Sequence, residues 1–417
     1  MDSEKHFVTG LDVGTENVRA VIATVSDNGE IAVVGYNEGK SAGMRKGIPA
    51  NLAGPASAID KMLGDAERMG GYDVRSAYVS INGSTVISTH TEGMIAVGTV
   101  EHEIDIEDLD RVTDVAVSGR IPANRSVLEI VPLEYSLDGQ GGIKDPIGMS
   151  GARLELRANV VSALTPNSEN LKKATLTADV EAKRLIPSVI AAARAVLTDR
   201  QKENGVAVID IGAATTSIAI YEEGDLQYVG VIPAGSNNIT NDLAIVLAID
   251  PSLAEEIKLR FVTCNFDSDK NPVIKMNKDG KERNFDRKEV EEVVKARLED
   301  IFSEVRKKLK SARYDQRLPE GIVLTGGGAK MRDIDSFAKE LLEAAVKIGI
   351  PQSTGGVAES IQKPEFATAV GLALLAAEDG NISVPSNNKS GKSTKNSKSP
   401  KSNSSPFGFI KKIFNKF

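Results

Sequence analysis

One pattern occurs twice in this chain, and it constrains the fold more than any other feature. Val8 to Gly35 runs as apolar residues into Asp12-Val13-Gly14, then a β-rich run from Val18 to Val25, an Asn28-Gly29 turn, and further strand residues from Ile31 to Val34. Val206 to Gly230 repeats it, with Asp210-Ile211-Gly212, a β-rich run from Thr215 to Tyr221, a turn at Gly224 and another strand. Each copy reads as strand, Asp-x-Gly turn, strand, turn, strand. Two copies about two hundred residues apart predict a pseudo-symmetric pair of α/β domains. A length of 417 residues agrees, being more than one hydrophobic core accommodates.

Between the copies, Ser84 to Ser162 is rich in β-branched residues and in turn signals such as Gly139-Gln140-Gly141-Gly142. Ile106 to Val117 has helical spacing, so the segment predicts a small α+β insertion. Helical patterns follow at Ser168–Ala182 and Ser188–Lys202, the second opened by Pro187. Asp286–Arg313 reads as a long amphipathic helix with Val290, Val293, Val294, Leu298, Ile301, Phe302, Val305 and Leu309 on one face. Ile322-Val323-Leu324-Thr325 is a strand running into Gly326-Gly327-Gly328, with a helix expected near Ile334–Lys347. Such glycines let a backbone approach a flat or anionic ligand closely.

Several chemistries are excluded. Paired Asp-x-Gly turns also occur in aspartic proteases, but those want Thr or Ser at the middle position, where Val13 and Ile211 stand here. The dinucleotide fingerprint fails because no glycine follows Gly328 at the required spacing. Gly391-Lys392-Ser393 mimics the end of a phosphate-binding P-loop, yet Ser386 occupies the first glycine's place. The single cysteine, Cys264, rules out a disulfide framework, and His6, His90 and His102 never stand at metal-ligand spacing. No leader pattern opens the chain and no apolar run is long enough to span a bilayer, so a cytoplasmic chain is expected.

The two Asp-x-Gly hairpins and the later strand-Gly-Gly-Gly-helix, in that order, resemble the actin, sugar-kinase and Hsp70 superfamily. Narrower matches select a family within it. Pro233-Ala234-Gly235-Ser236-Asn237-Asn238-Ile239-Thr240-Asn241-Asp242-Leu243, Asp145-Pro146-Ile147-Gly148-Met149-Ser150-Gly151-Ala152-Arg153-Leu154 and Lys363-Pro364-Glu365-Phe366-Ala367-Thr368-Ala369-Val370-Gly371 are similar to stretches of the FtsA family of bacterial cell-division proteins. The resemblance, from about Phe7 to about Glu378, implies an actin-like (RNase H-like) two-domain α/β ATPase fold. It divides the chain into subdomain 1A (1–83, 163–205 and 359–380), inserted α+β subdomain 1C (84–162), 2A (206–233 and 319–358) and 2B (234–318). It also implies that ATP and Mg²⁺ bind between the halves. Asp12, Gly14, Thr15 and Asn17 would face the phosphates from one side, and Asp210, Gly212, Thr215, Thr216 and Gly235 from the other. Gly326, Gly327 and Gly328 would take the adenosine, with Glu255 and Lys258 at the ribose and adenine. Turn amides and hydroxyls suit phosphate oxygens, and Asp12 and Asp210 suit a hydrated Mg²⁺. Two departures bear on turnover: Ala213-Ala214 replace glycines, and Ile186 stands before Pro187 where related filament ATPases place a Glu. An isoleucine is no general base, so binding without fast hydrolysis is expected.

The net charge of −7 divides into +8 on residues 381–417 and −15 on the rest. An acidic body argues against nucleic acid as a partner. Residues 381–405 are Ser, Asn and Lys with little else, a solvated linker. In 406–417, Phe407, Phe409, Ile410, Ile413, Phe414 and Phe417 share one helical arc, and Lys411, Lys412, Asn415 and Lys416 the other. Phe and Lys on opposite arcs beyond a linker predict an interfacial membrane helix. At roughly 16 Å it lies in the interface and does not cross. The resemblance adds the partners: FtsZ, other division proteins, and further copies of the chain as a polymer, beside anionic lipids. It places the FtsZ peptide near Asp286–Arg313, where Arg297 is the candidate contact. The implied location is the cytoplasmic face of the membrane at the division site. The rivals are a pilus-assembly scaffold and a kinase or chaperone ATPase of the same superfold.

Overall fold

The structure, a computed structural model, describes residues 6–380 apart from 27, 267–270, 279–280, 315–316 and 353–354. The first half contains β1 (His6–Val13), β2 (Asn17–Val25), β3 (Ile31–Lys40), a small ribbon of β4 (Met44–Arg45) and β5 (Ile48–Pro49), α1 (Ala53–Gly70) and β6 (Ser76–Ile81). There follow β7 (Ile87–Ala96), α2 (Ile106–Val117), β8 (Arg125–Leu137), β9 (Gln140–Ile143), β10 (Arg153–Leu164), α3 (Thr165–Thr177), β11 (Glu181–Pro187), α4 (Ser188–Val196) and α5 (Asp199–Asn204). The second half has β12 (Val206–Ile211), β13 (Thr216–Glu222), β14 (Asp225–Ile232), α6 (Ser236–Val246), α7 (Pro251–Phe261), β15 (Val273–Lys278), β16 (Lys281–Asp286) and α8 (Arg287–Ser311). It closes with β17 (Ile322–Thr325), α9 (Ile334–Leu342), β18 (Val346–Ile348), β19 (Gly355–Gly356) and α10 (Ala367–Glu378).

Two sheets share one plan, so the repeat in sequence is a repeat of topology. β1, β2 and β3 form an antiparallel meander, and β6 and β11 run parallel to β1 beyond its other edge. β12, β13 and β14 form the second meander, with β17 and β18 parallel in the same places. β12 alternates between two cores: Val206 and Val208 pack toward the first half, while Ala207, Ile209 and Ile211 pack into the second. Burial on both faces is why its sequence is apolar almost throughout, with Asp210 as the exception. Helices α4 and α10 cross at small residues, where a Cβ on Gly371 would lie 1.7 Å from Ala191 O. Only glycine fits so close a backbone contact.

The segment between the copies has its own core, formed by residues such as Leu109, Val112, Tyr135, Leu154 and Leu156. Its sheet runs β7-β10-β8-β9. Helix α2 begins at a capping box in which Asp105 accepts from Asp108 N and Asp108 accepts from Asp105 N. The insert leans on β14, an edge strand. Ser88 Oγ accepts from Val229 N at 2.8 Å and donates to Val229 O at 3.2 Å. His90 Nε2 lies 2.8 Å from Gln227 O, and Asn159 Nδ2 donates to Leu226 O at 2.7 Å.

Three elements differ from expectation. The helical pattern at Ser168–Ala182 ends at Thr177, and Glu181–Pro187 is a strand. Its charged half, with Arg184 paired to Glu129 and Asp379, has the look of a helix's polar face. Ser188–Lys202 is two helices, since Thr198 caps a new one by accepting from Gln201 N. The helix near Ile334–Lys347 ends at Leu342 and a short strand, β18, follows. The long helix and its apolar face are as expected, with Asp286 as its cap, accepting from Lys288 N at 2.9 Å.

Candidate functional site

The two Asp-x-Gly turns have the same construction. Gly14 N donates to Asn17 O at 3.1 Å, and Gly212 N donates to Thr215 O at 2.8 Å. Strand pairing resumes at Val13–Val18 in one hairpin and Ile211–Thr216 in the other. Both turns line one cleft of about 400 Å³ between the halves of the chain. Asp12, Gly14, Thr15 and Asn17 face Asp210, Gly212 and Thr215 across it, with Glu255, Lys258, Gly326, Gly327 and Gly328 along its length.

The aspartates sit at the bottom. Asp12 accepts from Ser80 Oγ at 2.7 Å, and that hydroxyl accepts in turn from Val13 N at 2.9 Å. Arg19, directly opposite Asp12 in the strand register, stands 3.9 Å from it and 2.9 Å from Glu38. Burial raises the Asp12 pKa against the pull of Arg19. Burial, and then the facing Asp12, push Asp210 up to about 7. A buried carboxylate whose proton affinity is raised by a second one facing it is a site that a cation would relieve. Among the described residues no cluster of three His, Cys, Asp or Glu forms a cage for a metal. The donor set therefore fits an ion held mainly by water and phosphate oxygens, as Mg²⁺ is.

The third glycine run is held against the second turn. Gly326 has φ +84, and a Cβ on it would lie 2.2 Å from Asp210 Oδ1. Gly327 has nothing within 4 Å of its Cβ position, so it presents bare backbone to the cleft. Glu255 and Lys258 are committed to each other and to their surroundings. Lys258 Nζ lies 2.7 Å from Glu255 Oε2 and donates to Thr240 Oγ1 at 2.9 Å and Ser236 O at 3.2 Å.

Two expected residues do not line the cleft. Thr216 is fully buried and donates to Ala234 O at 2.8 Å, and Gly235 N donates to Asn238 Oδ1 at 3.0 Å. Both shape the turn and the start of α6. Ile186 is buried in β11 and offers no carboxylate. Arg297 lies on α8 and donates to Asp242 of α6 at 2.6 Å, with Asp300 at 3.2 Å. Its guanidinium pKa is raised chiefly by the hydrogen bond it donates to Asp242. Phe407, Phe409, Ile410, Lys411, Lys412, Ile413, Phe414, Lys416 and Phe417 fall outside the described residues. Among the described residues no helix is long and apolar enough to cross a membrane.

Sequence reasoning missed the residues that join the two halves. Asn82 Nδ2 donates to Thr215 Oγ1 at 3.1 Å, and Ser217 Oγ donates to Asn82 Oδ1 at 3.1 Å. Glu16, at the tip of the first turn, accepts from Asn237 Nδ2 at 2.9 Å and from Lys40 Nζ at 2.8 Å. The bonds from Lys40 and Asn237 lower its pKa, Lys40 first, against partial burial. Ser80, Arg19, Lys330 and Glu365 were also missed.

The family described as "Cell division protein FtsA" matches residues 207–371, and the one described as "SHS2 domain inserted in FTSA" matches residues 83–162. The cell division protein FtsA of Pseudomonas aeruginosa is 34% identical over 375 residues, covering 89% of each chain. That of Escherichia coli K12 is 30% identical over 381 residues, covering 89% of this chain and 90% of its own. That of Bacillus subtilis 168 is 30% identical over 385 residues, covering 92% of this chain and 86% of its own. Among solved structures, a PilM-PilN type IV pilus biogenesis complex matches with TM-score 0.66 at 18% identity, covering 89% of this chain and 98% of that one. MreB5 of Spiroplasma citri bound to ADP matches with TM-score 0.52 at 14% identity, covering 90% and 98%. At such identities the two structures speak for the actin-like fold alone.

Proposed function

The chain belongs to the FtsA family of cell division proteins, and on that premise we propose that it binds ATP with Mg²⁺ in the cleft, self-associates, and ties FtsZ to the cytoplasmic face of the cell membrane at the division site. One observation carries the nucleotide part: two turns of identical hydrogen bonding face each other across a cleft with a buried carboxylate behind each. The Thr15 and Thr215 hydroxyls are donors for phosphate oxygens, while the Gly14 and Gly212 amides close the turns that present them. Asp12 and Asp210 would hold Mg²⁺ through its water, and the ion would neutralise phosphate charge. With Ile186 where a base would stand, turnover is slow, and the protein works as an adaptor whose state is set by occupancy. The division into subdomains 1A, 1C, 2A and 2B belongs to the same reading.

Membrane attachment rests on the tail. Three lysines on its polar arc each contribute up to about 1 kcal/mol near an anionic surface. The apolar arc adds several kcal/mol, less the cost of ordering a short helix. One tail is marginal, and self-association makes attachment firm by avidity. Co-sedimentation with anionic vesicles, ATP and FtsZ tests the whole reading. The full chain should pellet and carry FtsZ with it, while Phe414→Glu should leave both in the supernatant without unfolding the body. Arg297→Glu combined with Asp242→Arg, which restores the pair in reverse, should pellet but carry less FtsZ. Undiminished pelleting of the Phe414→Glu chain at raised salt means the tail is not the anchor. Undiminished FtsZ in the double variant moves the partner surface elsewhere.

A further inference from the structure

One wall of the cleft holds a buried charge with no partner for half of its carboxylate. Glu365 is 6% exposed, and its Oε1 takes Lys330 Nζ at 2.7 Å. Its Oε2 is buried and meets no hydrogen-bond donor among the described residues. An unsatisfied carboxylate oxygen in so enclosed a place costs stability unless a ligand or water completes it.

Its position says which part of a ligand it would meet. The backbone leads from the carboxylates to an apolar end of the same cleft. At one end, Gly326 touches Asp210 and its N donates to Pro364 O at 3.2 Å. At the other, Arg332 O accepts from Cys264 N at 2.8 Å, which sets Met331 and Arg332 beside Val262. Lys330 lies between them in the chain and reaches Glu365, whose neighbour Pro364 takes the Gly326 N–H. A nucleotide with its phosphates at the aspartates would therefore pass its sugar and base along this wall. Lys258, expected to read the nucleoside, is spent on Glu255, Thr240 and Ser236, and Glu255 gives its Oε2 to both Lys258 and Thr240.

We propose that Glu365 is the nucleoside-reading residue of this cleft: its free oxygen accepts a hydrogen bond from a nucleoside donor, the 6-amino group of adenine or a ribose hydroxyl, while Lys330 holds the other oxygen. The assignment rests on the nucleotide reading of the cleft. A carboxylate only accepts, so it favours a ligand that offers N–H or O–H there and disfavours one that offers a carbonyl or nothing. A lone water would complete the oxygen equally well but would be indifferent to the nucleoside.

Titration calorimetry on the full chain separates these cases, using Mg²⁺ with ATP, with inosine triphosphate (carbonyl in place of the 6-amino group) and with 2′-deoxy-ATP. In the unsubstituted chain one of the two analogues should bind about 10-fold or more weaker than ATP, as expected for a hydrogen bond to a charged group. In Glu365→Ala that preference should shrink to about 2-fold, and the analogue that loses it identifies the donor. Glu365→Gln serves as the second variant if the alanine chain does not fold. Equal discrimination in the unsubstituted and substituted chains, for both analogues, overturns the assignment and leaves the nucleotide reading standing. An unsubstituted chain that binds none of the three ligands overturns the nucleotide reading, and this assignment with it.

Discussion

Asp210 shows how a single side chain can be placed for a ligand at the expense of the free protein. Its pKa is pushed up to about 7 by burial and by Asp12. An unfolded chain ionises it near 3.8, so between about pH 4 and pH 7 the folded state holds the extra proton. The stability associated with that proton is present at low pH and is lost as pH rises through 7. Asp210→Asn should therefore stabilise the ligand-free protein at pH 8 by on the order of 2–4 kcal/mol, with the gain shrinking from about pH 7 downward and vanishing only below about pH 4. It should also abolish the Mg²⁺-dependent stabilisation by ATP. Thermal melts across pH check this, and equal melting of the two chains at pH 8 defeats it. Asp12 and Asp210 were legible because each sits in a repeated local motif. Asn82, Arg19 and Glu365 were not, since each is an ordinary polar residue until the fold supplies its partner. Asn82 meets Thr215 and Ser217 from well over a hundred residues away, and no local pattern encodes that.

Among elements, legibility followed periodicity. α8 declared itself through a long apolar stripe, and α2 through its helical spacing. The start of β11 was absorbed into the preceding helical pattern, because Glu181-Ala182-Lys183-Arg184 is too short a run to separate period 2 from period 3.6. The Gly139–Gly142 turn signal was real but longer than needed: Asp138 and Gly139 alone, at φ 49 and 90, join β8 to β9 as a two-residue hairpin turn. The crossing of α4 and α10 could not be seen in sequence, although Gly371 was quoted within a family match. Gly371→Ala would drive a methyl into Ala191 O, at a cost of about 3 kcal/mol or more. Chemical denaturation should show a clearly lower midpoint, and a shift below about 0.5 kcal/mol would mean that the helices can part freely.

For the whole molecule, the duplication was legible and the clasp between its halves was not. Asn82 and Glu16 reach from the first half to Thr215, Ser217 and Asn237 of the second. Asn82→Ala removes two of these bonds, together worth about 1–3 kcal/mol, and should speed release of a fluorescent ATP analogue by about 5-fold or more in stopped flow. An unchanged release rate would place the barrier to opening elsewhere. The insert's hold on β14 bears on the order in which the chain is made. An uncovered strand edge is a template for other chains, and β14 emerges from the ribosome only after β7 and β10. The insert carries its own core, and domains fold as units in the order of synthesis. The side chains of Ser88, His90 and Asn159 are therefore waiting when Leu226, Gln227 and Val229 appear, so this edge is never presented bare to a neighbouring nascent chain.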